Sequence, residues 1–173
     1  MSRVYVLKRV QRLSISVDEA WDFFSHPRNL FALTPPQLNL KFTNELFGAA
    51  MYPGQIITYK VKPLLGIPLF WMTEIMHVDK PHFFVDEQRR GPYSLWHHEH
   101  HFKPIAGGVE MTDLVHYAIP FGPLGTLAHR MFVKKQLNDI FEYRFQKTEA
   151  LFGPFRDAGR EQVNAAIHTD MGV

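Results

Sequence analysis

Apolar and polar positions alternate imperfectly from Val4 to Ile15, and the stretch is rich in β-branched and aromatic residues, which predicts a first strand. The alternation stops at Ser16-Val17-Asp18-Glu19. This is a capping box: the serine hydroxyl accepts from the backbone three residues on, and the glutamate reaches back. A short helix follows through Phe24, with Ala20, Phe23 and Phe24 on its buried side. Pro27 opens a second short helix that runs to about Leu33, and Thr34-Pro35-Pro36 ends it, because a residue before proline resists the helical region.

From Leu38 to Ile119 the pattern is strand, turn, strand. The predicted strands are Leu38 to Asn44, Gln55 to Lys62, Leu69 to Val78, His82 to Arg89, the stretch entered through Gly91-Pro92 that ends at Phe102, and Val109 to Ile119. The loop Glu45 to Gly54 and the segment Pro63 to Pro68 join the first three. Asp79-Lys80-Pro81 and Ala106-Gly107-Gly108 are tight turns. Six strands joined this closely predict an antiparallel meander.

Pro120 to Gly125 breaks the sheet. Thr126 to about Phe152 then runs without glycine or proline, predicting a long helix with Thr126 as its cap. At about 100° per residue, Val133, Leu137, Ile140, Phe141 and Phe152 fall on one side, together with Arg130 and Arg144. Phe132 and Tyr143 fall on the other and make a candidate homodimer surface. Gly153-Pro154 stops the helix; residues 153–173 read as a loosely held tail, with a helical turn expected over Glu161 to Ile167. Residues 1–152 then form one α+β domain. A curved antiparallel sheet of seven strands wraps the long helix, and two short helices close one end. Such packing leaves a wedge between sheet and helix that holds ligands.

Composition narrows the function. The 173 residues carry a formal charge of +2, too small to point to nucleic acid or an anionic membrane as a partner. No run of 18 or more apolar residues predicts membrane insertion, and MSRVYVLKRV lacks the apolar core of a signal peptide. The absence of cysteine removes disulfides and thiolate metal sites and is compatible with a cytoplasmic location. Aromatic residues make up 14%, a load that suits an apolar cavity. Glycine loops of the phosphate-cradling type and nucleophile elbows are lacking.

The richest chemistry lies in Arg90 to Phe102, RGPYSLWHHEHHF. On a strand, Trp96, His98, His100 and Phe102 share the face bracketed by large apolar residues. Two imidazoles two residues apart fit three readings. They are metal ligands with Asp113 or Asp86 as the third, polar groups lining a pocket, or members of a structural network. On the last strand, Met111, Asp113, Val115, Tyr117 and Ile119 share the more apolar face. Asp113 thus points inward and needs a cation or donors, since a lone buried carboxylate costs several kcal/mol. His98, His100, Arg130 and Arg144 are the candidates. The carboxylate either clamps helix to sheet or orients a ligand. On the strand from Leu69, Trp71 and Thr73 are taken as inward, whereas periodicity leaves the strand from His82 undecided.

Several strings resemble the SRPBCC superfamily of START-like, helix-grip proteins, and within it the bacterial ligand-binding or cyclase/dehydrase-like group. They are Trp21-Asp22-Phe23-Phe24, Leu33-Thr34-Pro35-Pro36, Val85-Asp86-Glu87-Gln88, Gly91-Pro92-Tyr93, Trp96-His97-His98, Tyr117-Ala118-Ile119-Pro120 and Phe121-Gly122-Pro123, spread from residue 3 to about 152. The resemblance implies the helix-grip fold and ligand binding, implies no particular reaction, and favours Asp86 and Gln88 as inward.

The sequence is therefore expected to bind a small hydrophobic or aromatic molecule between sheet and helix. Trp71, Thr73, Asp86, Gln88, Trp96, His98, His100, Asp113, Tyr117, Arg130 and Arg144 are the candidate contacts. The alternative is a cyclase, dehydratase or hydrolase-like enzyme in which His98, His100 and Asp113 serve as acid and base, with or without a metal. No cofactor and no metal ligand is assigned. The rim is expected at Pro120 to Gly125 and at Glu45 to Gly54, through Phe47, Met51, Phe121 and Leu124.

Overall fold

The computed structural model describes residues 3–45, 50–64, 66–156 and 167–171. Strand β1 (Val4–Leu13) leads into helix α1 (Val17–Phe24). Ser16 and Glu19 make the reciprocal capping box, with the Ser16 hydroxyl accepting from the Glu19 N–H at 3.2 Å. Trp21 is buried beside Ala20 and Phe24, while Phe23 packs at the edge of the same cluster. Ser16→Ala is expected to cost about 1 kcal/mol, read as a lower urea midpoint. A 3₁₀ turn at Pro27–Asn29 precedes α2 (Leu30–Leu33). The strand expected from Leu38 shrinks to β2 (Lys41–Phe42), because a second 3₁₀ turn runs from Pro36 to Leu38 and Asn39 is left-handed.

The meander follows as β3 (Ile56–Leu64), β4 (Ile67–Asp79), β5 (Phe83–Arg90), β6 (Leu95–Ile105) and β7 (Gly108–Ala118). All pairs are antiparallel, and β1 closes against β7. Between β4 and β5 the register slips twice, between Met72 and Thr73 and between Ile75 and His77. Such bulges increase local twist and bend the sheet around the helix. A further strand, β8 (Ile167–Met171), pairs with the free edge of β1 and gives the order β2-β3-β4-β5-β6-β7-β1-β8. That part of the expected tail is thus a strand; an unpaired sheet edge is a ready template for one. Residues 161–166 of the expected helical turn lie outside the described residues.

The long helix begins at Gly122, earlier than expected. It comprises α3 (Gly122–Ala128), a π-helical turn (His129–Val133) and α4 (Lys134–Phe152). Thr126 is therefore inside the helix rather than its cap, and its hydroxyl donates to the Gly122 carbonyl at 3.3 Å. The π turn is held from the sheet: Tyr117 Oη lies 2.9 Å from His129 Nε2, and Tyr5 stacks on the same imidazole at 3.6 Å. Further along, Gln11 donates to the Phe145 carbonyl, and Thr148 donates to Gln11 Oε1 at 2.7 Å. These contacts clamp β1 to the helix.

Two apolar clusters make the core. One gathers α1 with Leu13, Phe84, Phe102, Val109 and Met111. The other joins Tyr5, Leu7, Val115 and Tyr117 to Leu137 and Phe141 of the helix. On β7 the residue between them is Asp113, 8% exposed. Among the described residues, no helix is long and apolar enough to cross a membrane.

Candidate functional site

The alternation of side chains on β3 and β4 sends Ile57, Tyr59 and Val61, and Leu69, Trp71, Thr73 and Ile75, into one space beneath the long helix. This cavity has a volume of about 330 Å³. The helix closes it with Val133, Gln136, Leu137, Ile140, Phe141 and Arg144. The short helices and the chain after them contribute Leu30, Leu33, Leu38 and Leu40.

One wall is aromatic. Trp71 meets Trp96 edge to face at 5.3 Å and stacks on Tyr59 at 5.9 Å. Tyr93 lies 4.9 Å from Trp96 and 5.6 Å from Trp71. Burial raises the Tyr59 and Tyr93 hydroxyls above their ordinary range, so both stay neutral.

Next to this wall the lining is charged, and Trp96 meets His98 edge to face at 6.1 Å. Register places His98 and His100 on β6 between Asp86 on β5 and Asp113 on β7. His98 Nε2 and His100 Nδ1 each lie 3.0 Å from the same Asp113 oxygen, and Arg144 Nη2 approaches that oxygen at 3.4 Å. On the cavity side, His100 Nε2 is 2.9 Å and His98 Nδ1 3.7 Å from Asp86 Oδ1. Phe84 stacks under His100 at 4.1 Å. Burial pushes the Asp113 carboxyl up, but Arg144 and the two imidazoles more than offset this and hold it well below the usual carboxylate range. Asp86 is likewise raised by burial and lowered further by His100 and its neighbours, with a net downward shift. Burial lowers His98, and the neighbouring His100 adds to the effect. His100 also loses from burial, yet its bonds to Asp113 and Asp86 bring it above the ordinary imidazole value. His98 is accordingly the neutral ring and His100 the more basic one.

Seven of the eleven sequence candidates line the cavity: Trp71, Thr73, Asp86, Trp96, His98, His100 and Arg144. Asp113 stands behind the imidazoles and orients them. Gln88 turns back on its own hairpin, donating to the Tyr93 carbonyl at 2.7 Å and accepting from the Tyr93 N–H at 3.3 Å. It thereby sets the turn that presents Pro92 and Tyr93. Tyr117 is fully buried against His129. Arg130 is exposed, contrary to the helical-wheel expectation. The wheel assumes a constant 100° per residue, and the π turn at His129–Val133 rotates everything before it.

Sequence reasoning missed Tyr59, Tyr93 and the aliphatic lining from β3 and the short helices, while Val133, Leu137 and Ile140 lie on the helix side it singled out. The period-2 set Ile57, Tyr59, Val61 was a readable signal; Tyr93 follows a turn, where periodicity gives no direction. At the rim, Met51 lines the cavity, and Phe121 and Leu124 are 80% and 73% exposed. Phe47 lies outside the described residues.

No protein-family model and no curated protein matches the sequence. Solved structures do match the fold. A Chromobacterium violaceum protein, CV1439, is similar at 13% identity with a TM-score of 0.63, over 86% of this chain and 97% of that one. Protein Ms6760 of Mycobacterium smegmatis is similar at 18% identity and a TM-score of 0.62, over 84% and 89% of the two chains. The major latex-like protein 151 of Panax ginseng is similar at 13% identity and a TM-score of 0.60, over 88% and 99%. The chain has the helix-grip fold. Identities this low establish the helix-grip architecture and carry neither ligand nor reaction across. The charged part of the cavity is therefore read on its own chemistry.

Proposed function

We propose that the protein binds one small, largely apolar molecule with aromatic character between sheet and helix. The observation that carries this reading is one cavity lined by an aromatic wall and an adjoining charged cluster. The wall of Trp71, Tyr93 and Trp96 takes the flat apolar body. Asp86, His98 and Arg144 take one polar group and set its direction. A volume of about 330 Å³ is near the lower end of the roughly 300–1,000 Å³ that small-molecule sites span, which favours a compact ring system over a two-chain lipid. The test is titration with N-phenyl-1-naphthylamine, a neutral fluorescent aromatic. Saturable one-to-one binding with energy transfer from tryptophan is expected, since Trp71 and Trp96 line the cavity. Titration without saturation would remove the reading.

One observation favours a second reading, acid–base catalysis. His98, neutral and held by Asp113, stands at the cavity wall within reach of the more basic His100. A ligand co-purifying with the protein would then be a product, and the one co-purifying with His98→Ala the unchanged substrate. Identical masses from both proteins would leave simple binding.

A further inference from the structure

We propose that Asp86, His98 and His100 form a site for one divalent transition-metal ion of zinc's class, open to the cavity. The inference goes beyond the apolar-ligand reading and shares Asp86 and His98 with it. It starts from the donor atoms. One atom from each side chain lies within 4.8 Å of the other two. Asp86 Oδ1 is 2.9 Å from His100 Nε2 and 3.7 Å from His98 Nδ1. A tetrahedral ion with ligands at about 2.0–2.1 Å requires donors roughly 3.3 Å apart, a value between those two. Small side-chain rotations close the set.

The surroundings supply what such ligands need. Each imidazole turns its other nitrogen to Asp113 Oδ1, at 3.0 Å in both cases. A carboxylate behind a ligating histidine fixes its tautomer and ring direction. With an ion bound, the Asp113-facing nitrogens would carry the protons and His98 Nδ1 and His100 Nε2 would offer lone pairs to the side where Asp86 stands; without one, a proton on His100 Nε2 bridges to Asp86 at 2.9 Å. A cation between the three groups would take the place of that proton. Arg144 does not supply that cation. Its Nη2 pairs with Asp113 Oδ1 at 3.4 Å, while its side chain also lines the cavity. The donor set keeps the single negative charge of Asp86. All three ligands line the cavity, so a fourth position is left for water or for an oxygen of a bound molecule.

A second histidine cluster provides the control. On the outer face, His97 meets Glu87 at 2.8 Å and His101 meets Glu99 at 2.9 Å. Metal-stripped protein would be titrated with Co²⁺ and followed by visible absorption, with Zn²⁺ as competitor and the chelator EDTA for reversal. One Co²⁺ per chain is expected, with the intense bands of four- or five-coordination, displaced by Zn²⁺. Asp86→Asn and His98→Ala should each weaken binding at least about tenfold, the lower bound found for losing even a supporting group. The pair His97→Ala and His101→Ala should leave it unchanged. Asp86→Asn is nearly isosteric and keeps the test decisive where His98→Ala does not fold. Absence of the bands together with absence of Zn²⁺ binding would overturn the proposal. So would binding that survives Asp86→Asn or disappears with His97 and His101.

Discussion

Asp113→Asn is expected to destabilise the protein by about 3 kcal/mol, toward the lower end of the range for breaking a buried ion pair. The carboxylate is 8% exposed and sits on β7 where one apolar cluster gives way to the other. Three donors converge on one of its oxygens: two imidazoles and the Arg144 guanidinium. Asparagine keeps the shape and one acceptor but removes the charge, leaving Arg144, itself 13% exposed at the side chain, without its counter-ion. The second arm separates charge from shape. Adding Arg144→Met should restore at least about 1 kcal/mol, because the uncompensated cation goes with it. Urea unfolding with an unchanged slope would read both numbers. A loss below about 1 kcal/mol, paired with weaker ligand binding, would assign the carboxylate to the ligand instead of to the clamp between helix and sheet.

Ile140→Trp is expected to reduce binding of the naphthylamine probe at least tenfold, about 1.4 kcal/mol, while changing stability by less than about 1 kcal/mol. Ile140 lines the cavity from the helix and belongs to neither apolar cluster. An indole placed there extends into open space. The strain of about 1–3 kcal/mol that follows overpacking belongs to filled cores and should not arise. The same substitution in a cavity already packed from wall to wall would cost that strain, so the two readouts together test whether the space is real.

Much of this arrangement was legible in the chain. Period-2 alternation placed Trp96, His98, His100 and Phe102 on one face, and the capping box at Ser16 marked the start of α1 to the residue. The convergence of Asp113, the two histidines and Arg144 followed from asking what a buried carboxylate needs. Other features had no local signal. The π turn, whose His129 is held by Tyr117 and Tyr5, shifts the helical phase around Arg130. Gln88 shared the parity of Asp86, yet its amide found partners in its own hairpin, a choice decided by the turn geometry after Arg90. The short β2 reflects Asn39 in the left-handed region, which ends the preceding turn and delays pairing. The strand at Ile167–Met171 pairs with the free edge of β1, and five residues are too few for their own pattern to announce it.

The central claim is that the space between sheet and helix is a binding cavity. Native mass spectrometry of freshly purified protein tests it most directly, with Ile140→Trp as the comparison. The account predicts a wild-type population carrying one extra organic molecule of a few hundred daltons, or acquiring one equivalent of the naphthylamine probe, with both species lost in the variant. A wild-type protein that shows only the mass of the bare chain and takes up no probe would contradict it.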